Sequence, residues 1–223
     1  MSIVYSNPFT GNSGVPTDLV LSQAGPGSGA TMDLSGDKFR NITTATGFSA
    51  LRSILPTSNW NNADGVAVAS FVTTATASNL LPQIMLRTSG AWDATQIDSP
   101  TTGYKLVYYL GNLEIYKRTG GATTLISPSI AKTVNTTTTY SMKFQVVGSS
   151  PVALKAKMWT GADNGVWDIE ITDSSGTQIT GAGQFMMAFV NTVAAIRQIN
   201  WDDITLDDLV TVTTGPRPRL MRV

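Results

Sequence analysis

At 223 residues the chain has room for one large domain with a sizeable core, and a single all-β sandwich of this length is ordinary. Its 15 basic residues match 15 acidic ones and only 13% of positions are charged. No face then carries the basic excess that phosphate neutralisation demands, and nucleic acid is not an expected partner. Cysteine and histidine are both absent, which excludes disulfides, zinc–thiolate sites, Cys nucleophiles and His general bases.

The N-terminal stretch MSIVYSNPF has no basic n-region and no long apolar run, so no signal peptide is expected. No later run approaches the length of a membrane span, and no membrane partner is expected. Synthesis in the cytoplasm is expected, with release from the cell open to it as part of a particle. Residues 1–37 are rich in Gly, Pro, Ser and Asn and read as an extended arm, with the apolar patch DLVLS free to dock on something. The stretch TATGFSALRSIL spaces Phe48, Leu51, Ile54 and Leu55 at a helical period, over too short a length for a stable isolated helix.

From Phe39 onward short β-prone runs alternate with turn residues about every ten positions, the pattern of an antiparallel sandwich. GVAVASFVTT and LPQIMLRTS are two such runs. GYKLVYYLGNLEIYKRTGG reads as a hairpin turning at Gly111-Asn112, with Leu106, Tyr108 and Leu110 inward, Leu113 and Ile115 continuing inward, and Glu114 pointing away. TYSMKFQVVG places Tyr140, Met142, Phe144 and Val146 on one face. VALKAKMW repeats that pattern, with Lys155 and Lys157 outward. VWDIEITDSSG sets Trp167, Ile169 and Ile171 against Asp168 and Glu170. GQFMMAFV is continuously apolar and reads as a central strand; INWDDITLDDL closes the series. Threonine-rich runs such as NTTTTY add to the β bias. The tail, residues 211–223, carries Arg217, Arg219 and Arg222 between prolines and reads as a stiff arm for contact with a neighbouring subunit.

In order and spacing these runs resemble the concanavalin A-like (LamG, laminarin-binding) jelly-roll sandwich, in the form common in tailed-bacteriophage minor tail and other virion proteins. The resemblance covers roughly residues 38–210. It is carried most specifically by LKAKMW…W…TDSSG and by WDDITLDD. It implies a non-enzymatic virion protein of the tail tip or baseplate, or a capsid decoration protein. A lectin-like surface would hold a host glycan or a neighbouring subunit, within a homo-oligomeric or larger assembly reached through both termini.

Each site reading has a plainer counterpart. In WDDITLDDL, strict alternation would send Asp203 inward; a bulge at Asp202-Asp203 returns Ile204 and Leu206 to the core and keeps the acids wet. No cofactor is expected, although sandwiches of this kind hold calcium at their rims and Asp207 and Asp208 could contribute to such a site. Glucanases of the resembled fold cluster carboxylates on one strand, which would assign Asp168 and Glu170 to glycan hydrolysis; Val166 stands where the first glutamate would be. Solvated sheet faces show the same alternation. Trp60 and Trp92, with Asp64 and Asp93 beside them, sit in polar, loop-like sequence and are the candidate sugar platform, against the alternative that each plugs an end of the sandwich. Trp159 and Trp167 read as packing residues.

Overall fold

The computed structural model describes residues 3–10, 14, 16–24, 30–43, 49–58, 60–74, 80–90, 101–193 and 195–209. In chain order the strands are β1 (Ile3–Asn7), β2 (Val20–Ala24), β3 (Thr31–Leu34), β4 (Phe39–Ile42), β5 (Ser49–Ile54), β6 (Gly65–Thr73), β7 (Leu80–Ser89) and β8 (Thr102–Tyr109). They continue with β9 (Asn112–Thr119), β10 (Ala122–Leu125), β11 (Ile130–Ala131), β12 (Tyr140–Val147), β13 (Val152–Trp159), β14 (Ile169–Asp173), β15 (Gln184–Asn191) and β16 (Gln198–Asp207). Among the described residues there is no helix, and every strand pair is antiparallel. Sheet A runs β14-β13-β12-β6-β16-β4-β3, with β1 also on β16. Sheet B runs β10-β9-β8-β7-β15-β5-β2, with β11 on β9.

The core lies between the sheets. Phe71, Phe144, Trp201 and Ile204 of sheet A join Leu106, Ile115, Phe185 and Phe189 of sheet B in one cluster, all fully buried. The period-two reading of 140–147 and 152–159 holds: Tyr140, Met142, Phe144 and Val146 face the core, as do Leu154 and Ala156. β15 lies between β7 and β5, the central place its continuous apolar run implied.

Three expectations are corrected. Residues 1–37 are not simply an arm. β1 pairs with Ile204–Asp207 of β16, β2 with β5, and β3 with β4. Phe9 and Leu19 are buried in the core, and Leu21 and Leu34 pack against it. Position 38 is therefore no boundary, because β3 and β4 form one ladder across it. The helical spacing over 49–54 belongs to a strand: β5 is covered on both sides, so it shows no alternation, and Leu51 faces the core while Ile54 joins a separate cluster on the far side of sheet B. The hairpin turn sits one residue earlier than expected. Tyr109 pairs with Asn112, and Leu110 and Gly111 make the turn with φ of 48° and 84°. Leu110 is consequently exposed rather than inward.

The bulge in β16 is present as expected. Trp201 pairs with Phe71 and Ile204 with Ala69, so Asp202 and Asp203 together oppose Ser70. Ile204 and Leu206 are fully buried. Asp202 holds Lys38 at 2.7 Å on the surface.

Candidate functional site

Trp60 does not present a sugar platform. Its indole is 2% exposed, belongs to the central cluster, and lies against Gly65, where a Cβ would stand 2.6 Å from the ring. It plugs the sandwich. Asp64 is partly exposed but committed: it accepts from the Gly148 amide at 2.9 Å and from Arg87 at 3.0 Å. Trp92, Asp93, Arg217, Arg219 and Arg222 lie outside the described residues.

Asp168 and Glu170 are not brought together. Asp168 accepts from the Met158 amide at 2.8 Å and pairs with Lys132 at 2.7 Å. Glu170, two residues further on in β14, pairs instead with Lys155 at 2.5 Å. Glu114, the chain's other glutamate, stands on sheet B, where it accepts from Tyr116 at 2.5 Å and from Ser129. Each carboxylate is thus engaged by its own ion-pair or hydrogen-bond partners, without the facing pair that glycosidic cleavage uses. At the β16 end Asp207 accepts from the Leu209 amide at 2.9 Å, and no group of three acids suited to a metal occurs among the described residues.

The two sheets differ in what their outer faces offer. On sheet B the residues pointing away from the core are themselves buried: Arg52, Gln83, Lys105 and Glu114 are 0%, 4%, 5% and 6% exposed. Met85, Met186 and Ala188 beside them form a second apolar cluster. The outer face of sheet A is open, and there the structure gathers residues that sequence reasoning assigned to packing.

Lys155, Lys157 and Trp159 alternate out of β13, and Ser141, Lys143 and Gln145 stand opposite them on β12. The loop 160–168 then folds back over this face. Gly161 and Gly165 take φ of 69° and 75°, which lets the chain reverse, and Asp163 and Asn164 accept from the amides of Gly165 and Val166 at 2.7 Å and 3.1 Å. The Asp168 amide returns to the ladder by donating to Ala156 at 3.0 Å. This reversal sets Trp167 over the sheet, with the Lys143 ammonium 5.1 Å from its ring centre. Lys157 lies 4.9 Å from the ring centre of Trp159 and donates to Asp163 and, at 2.9 Å, to Asn164. Lys157 and the Gly165 amide hold the Asp163 carboxyl below its ordinary range. Both indoles remain half-buried, with part of each in water, and Val166 between Asn164 and Trp167 is 65% exposed.

Along the same strand the face continues into a shallow depression of about 270 Å³ bounded by Lys155, Glu170, Ala153 and Thr172. Successive outward residues on a strand stand roughly 7 Å apart. Trp159, Lys157 and Lys155 therefore form a rail about 14 Å long with aromatic surface at one end and paired charges along it. Aromatic surface stacks on the apolar face of a pyranose, while Asp, Asn and Lys bond its hydroxyls.

No family model matches the sequence, and no curated protein matches it. Its fold does have solved counterparts. The Emp47p carbohydrate recognition domain aligns at TM-score 0.62 with 11% identity, over 92% of this chain and 95% of that one. The exoplasmic/lumenal domain of VIP36, in a Ca²⁺/Man-bound form, aligns at 0.60 with 12% identity, over 95% and 93%. A structure tied to prominent members of the human gut microbiota, which express endo-acting O-glycanases to initiate mucin breakdown, aligns at 0.62 with 10% identity, over 92% and 98%. The chain has the concanavalin A-like lectin fold.

Proposed function

We propose that the chain is a non-enzymatic carbohydrate-binding subunit of a tailed-phage virion, placed at the tail tip or baseplate. Its sandwich holds a host-surface glycan on the outer face of sheet A. The observation that carries the binding reading is the pair of half-buried indoles, Trp159 and Trp167, set beside Asp163, Asn164 and Lys143 on the open face. Carbohydrate recognition by the Emp47p and VIP36 domains of the same fold supports it. The virion placement rests on the strand order and spacing that resemble phage tail sandwiches, and a capsid decoration protein is the alternative position. Mass spectrometry of purified particles tests it: a virion subunit co-purifies at fixed copy number, low for a tail tip and high for a decoration protein.

Binding is tested on the isolated chain with an immobilised glycan array. Trp167→Ala and Trp159→Ala should each reduce retention about two- to tenfold, since one stacked ring contributes about 0.5–1.5 kcal/mol. Unchanged retention in both variants would remove the site.

A second reading, glycan hydrolysis, is favoured by the likeness to the gut O-glycanase structure. Against it stands the separation of Asp168 and Glu170 onto different lysines. Release of new reducing ends from mucin or cell-wall polysaccharide, lost in Glu170→Gln, would establish it.

A further inference from the structure

The charges on the open face do not cancel at its aromatic end. Lys155 is matched by Glu170 and Lys132 by Asp168. Lys143 and Lys157, in contrast, share the single carboxylate of Asp163, which Lys157 holds closely and Lys143 meets only at 3.6 Å. Lys157 is 2% exposed, sealed between the Trp159 ring and the 163–164 turn, whereas the Lys143 side chain keeps 25% of its surface in water. Two cations against one anion leave one positive charge, and it resides on the accessible lysine under Trp167. The acids of β16 are two strands away, about 10 Å, which is a Debye length at ordinary salt. Asp202 among them is already paired with Lys38.

We propose that the glycan taken by this face is acidic: a saccharide whose ring stacks on Trp167 and whose carboxylate meets the Lys143 ammonium. This rests on the glycan-binding reading above and narrows it to one ligand class. An ammonium already over an indole and only loosely held by Asp163 loses little on accepting a second anion, and the charge-assisted bond so formed is about twice as strong as one between neutral groups. Lys143 acts here as a specificity residue, and Trp167 supplies the binding surface.

The test uses oligogalacturonate, hyaluronan oligosaccharides and oligosialic acid, each beside its carboxyl-reduced form, titrated calorimetrically into the whole chain. At least one acid form should bind about tenfold or more tightly than its reduced partner, with an affinity that falls as salt rises. Lys143→Gln should close that gap and Lys143→Arg should reopen it. Equal binding of acid and reduced forms, both lost in Trp167→Ala, would overturn the charge inference and leave the glycan site standing. Failure of every member of the panel to bind, or binding indifferent to Trp167→Ala, would overturn the glycan reading and this inference with it.

Discussion

Tyr104 on β8 donates its hydroxyl to Oδ2 of Asp173 at the end of β14, 2.8 Å across the gap between the two sheets. The same oxygen receives the Lys117 ammonium at 3.0 Å, and Oδ1 receives the amide and hydroxyl of Ser175 at 3.0 Å and 2.6 Å. Tyr104 in turn accepts the Ile179 amide at 3.0 Å. Asp173 and Lys117 are both nearly excluded from water. Asp173→Ala would leave Lys117 buried and uncompensated, so it should cost about 3–5 kcal/mol in urea unfolding. Burial alone would raise the Asp173 carboxyl, but the bonds from Ser175, Tyr104 and Lys117 outweigh it and hold the group below its ordinary value. A depressed carboxyl stabilises the fold above its unfolded value, and that contribution disappears as pH falls through the folded one. The urea midpoint should therefore drop below about pH 4 in the native chain. Asp173→Asn should be weaker at neutral pH and show a shallower acid limb; an identical acid limb would contradict this account.

Arg87, the one charged residue of β7, is expected to be costly to lose. It is 1% exposed, at a φ of 53° where the ladders to β8 and β15 both slip register, and this turns its side chain towards the end of the sandwich. There the guanidinium donates to the carbonyls of Ala63, Gly148 (2.6 Å) and Ile179 (2.5 Å) and to Asp64. Three loops thus share one fork. Arg87→Met leaves those carbonyls without their donor and should destabilise by at least about 3 kcal/mol; Arg87→Lys should recover only part, because an ammonium lacks the planar spread of donors. Gly183→Ala should be comparably harmful, since its Cβ would fall 2.4 Å from the Arg87 carbonyl carbon. Thermal melts of the three variants check the ranking.

For Trp60 the outcome should separate stability from recognition. Trp60→Ala opens a cavity in the core and should cost about 3–5 kcal/mol, while glycan retention per folded molecule stays at the native level. Retention lost in parallel with that of Trp167→Ala would restore Trp60 to the binding surface.

Deleting Asp203 should be far less harmful than deleting Thr205. Without Asp203 the ladder becomes regular, with Trp201 opposite Phe71, Asp202 opposite Ser70 and Ile204 opposite Ala69, and every core residue keeps its side. Without Thr205 the residues on one side of the gap must change faces, carrying Leu206 outward or Asp203 inward. Unfolding free energies from denaturant titration should differ by about several kcal/mol between the two deletions.

What could be read beforehand depended on whether a strand buries one face or two. β12 and β13 have a wet side, so their alternation was plain, and the bulge at Asp202-Asp203 followed from the same arithmetic. β5 is dry on both sides, and its Leu51 and Ile54, with Leu55 just beyond it, coincided with a helical spacing. β1, β2 and β3 are four or five residues long and set among Gly, Pro and Asn, and β1 and β2 pair with strands that are not their neighbours in sequence, which leaves little local pattern to find. Polar neighbours rightly marked Trp60 as a loop residue but gave no sign that its indole fills the space over Gly65. Trp167 was placed on the face of Ile169 and Ile171 because strand alternation was carried back to Val166, whereas β14 begins only at Ile169. The Gly161…Asp163-Asn164-Gly165 spacing was the available sign that the chain doubles back there.

The last described strand, β16, occupies an interior place in its sheet, between β6 on one side and β4 and β1 on the other. A ribosome making this chain therefore delivers the outer strands of sheet A well before the one that joins them. Until residues 198–207 emerge, β6 and β4 have no common neighbour, and their apolar sides must wait on a contact separated by more than a hundred residues of sequence. Such a molecule should acquire its native sheet late and in a single step, at the slow end for domains of its size, and a nascent chain stalled before residue 198 should be open to protease along its whole first half.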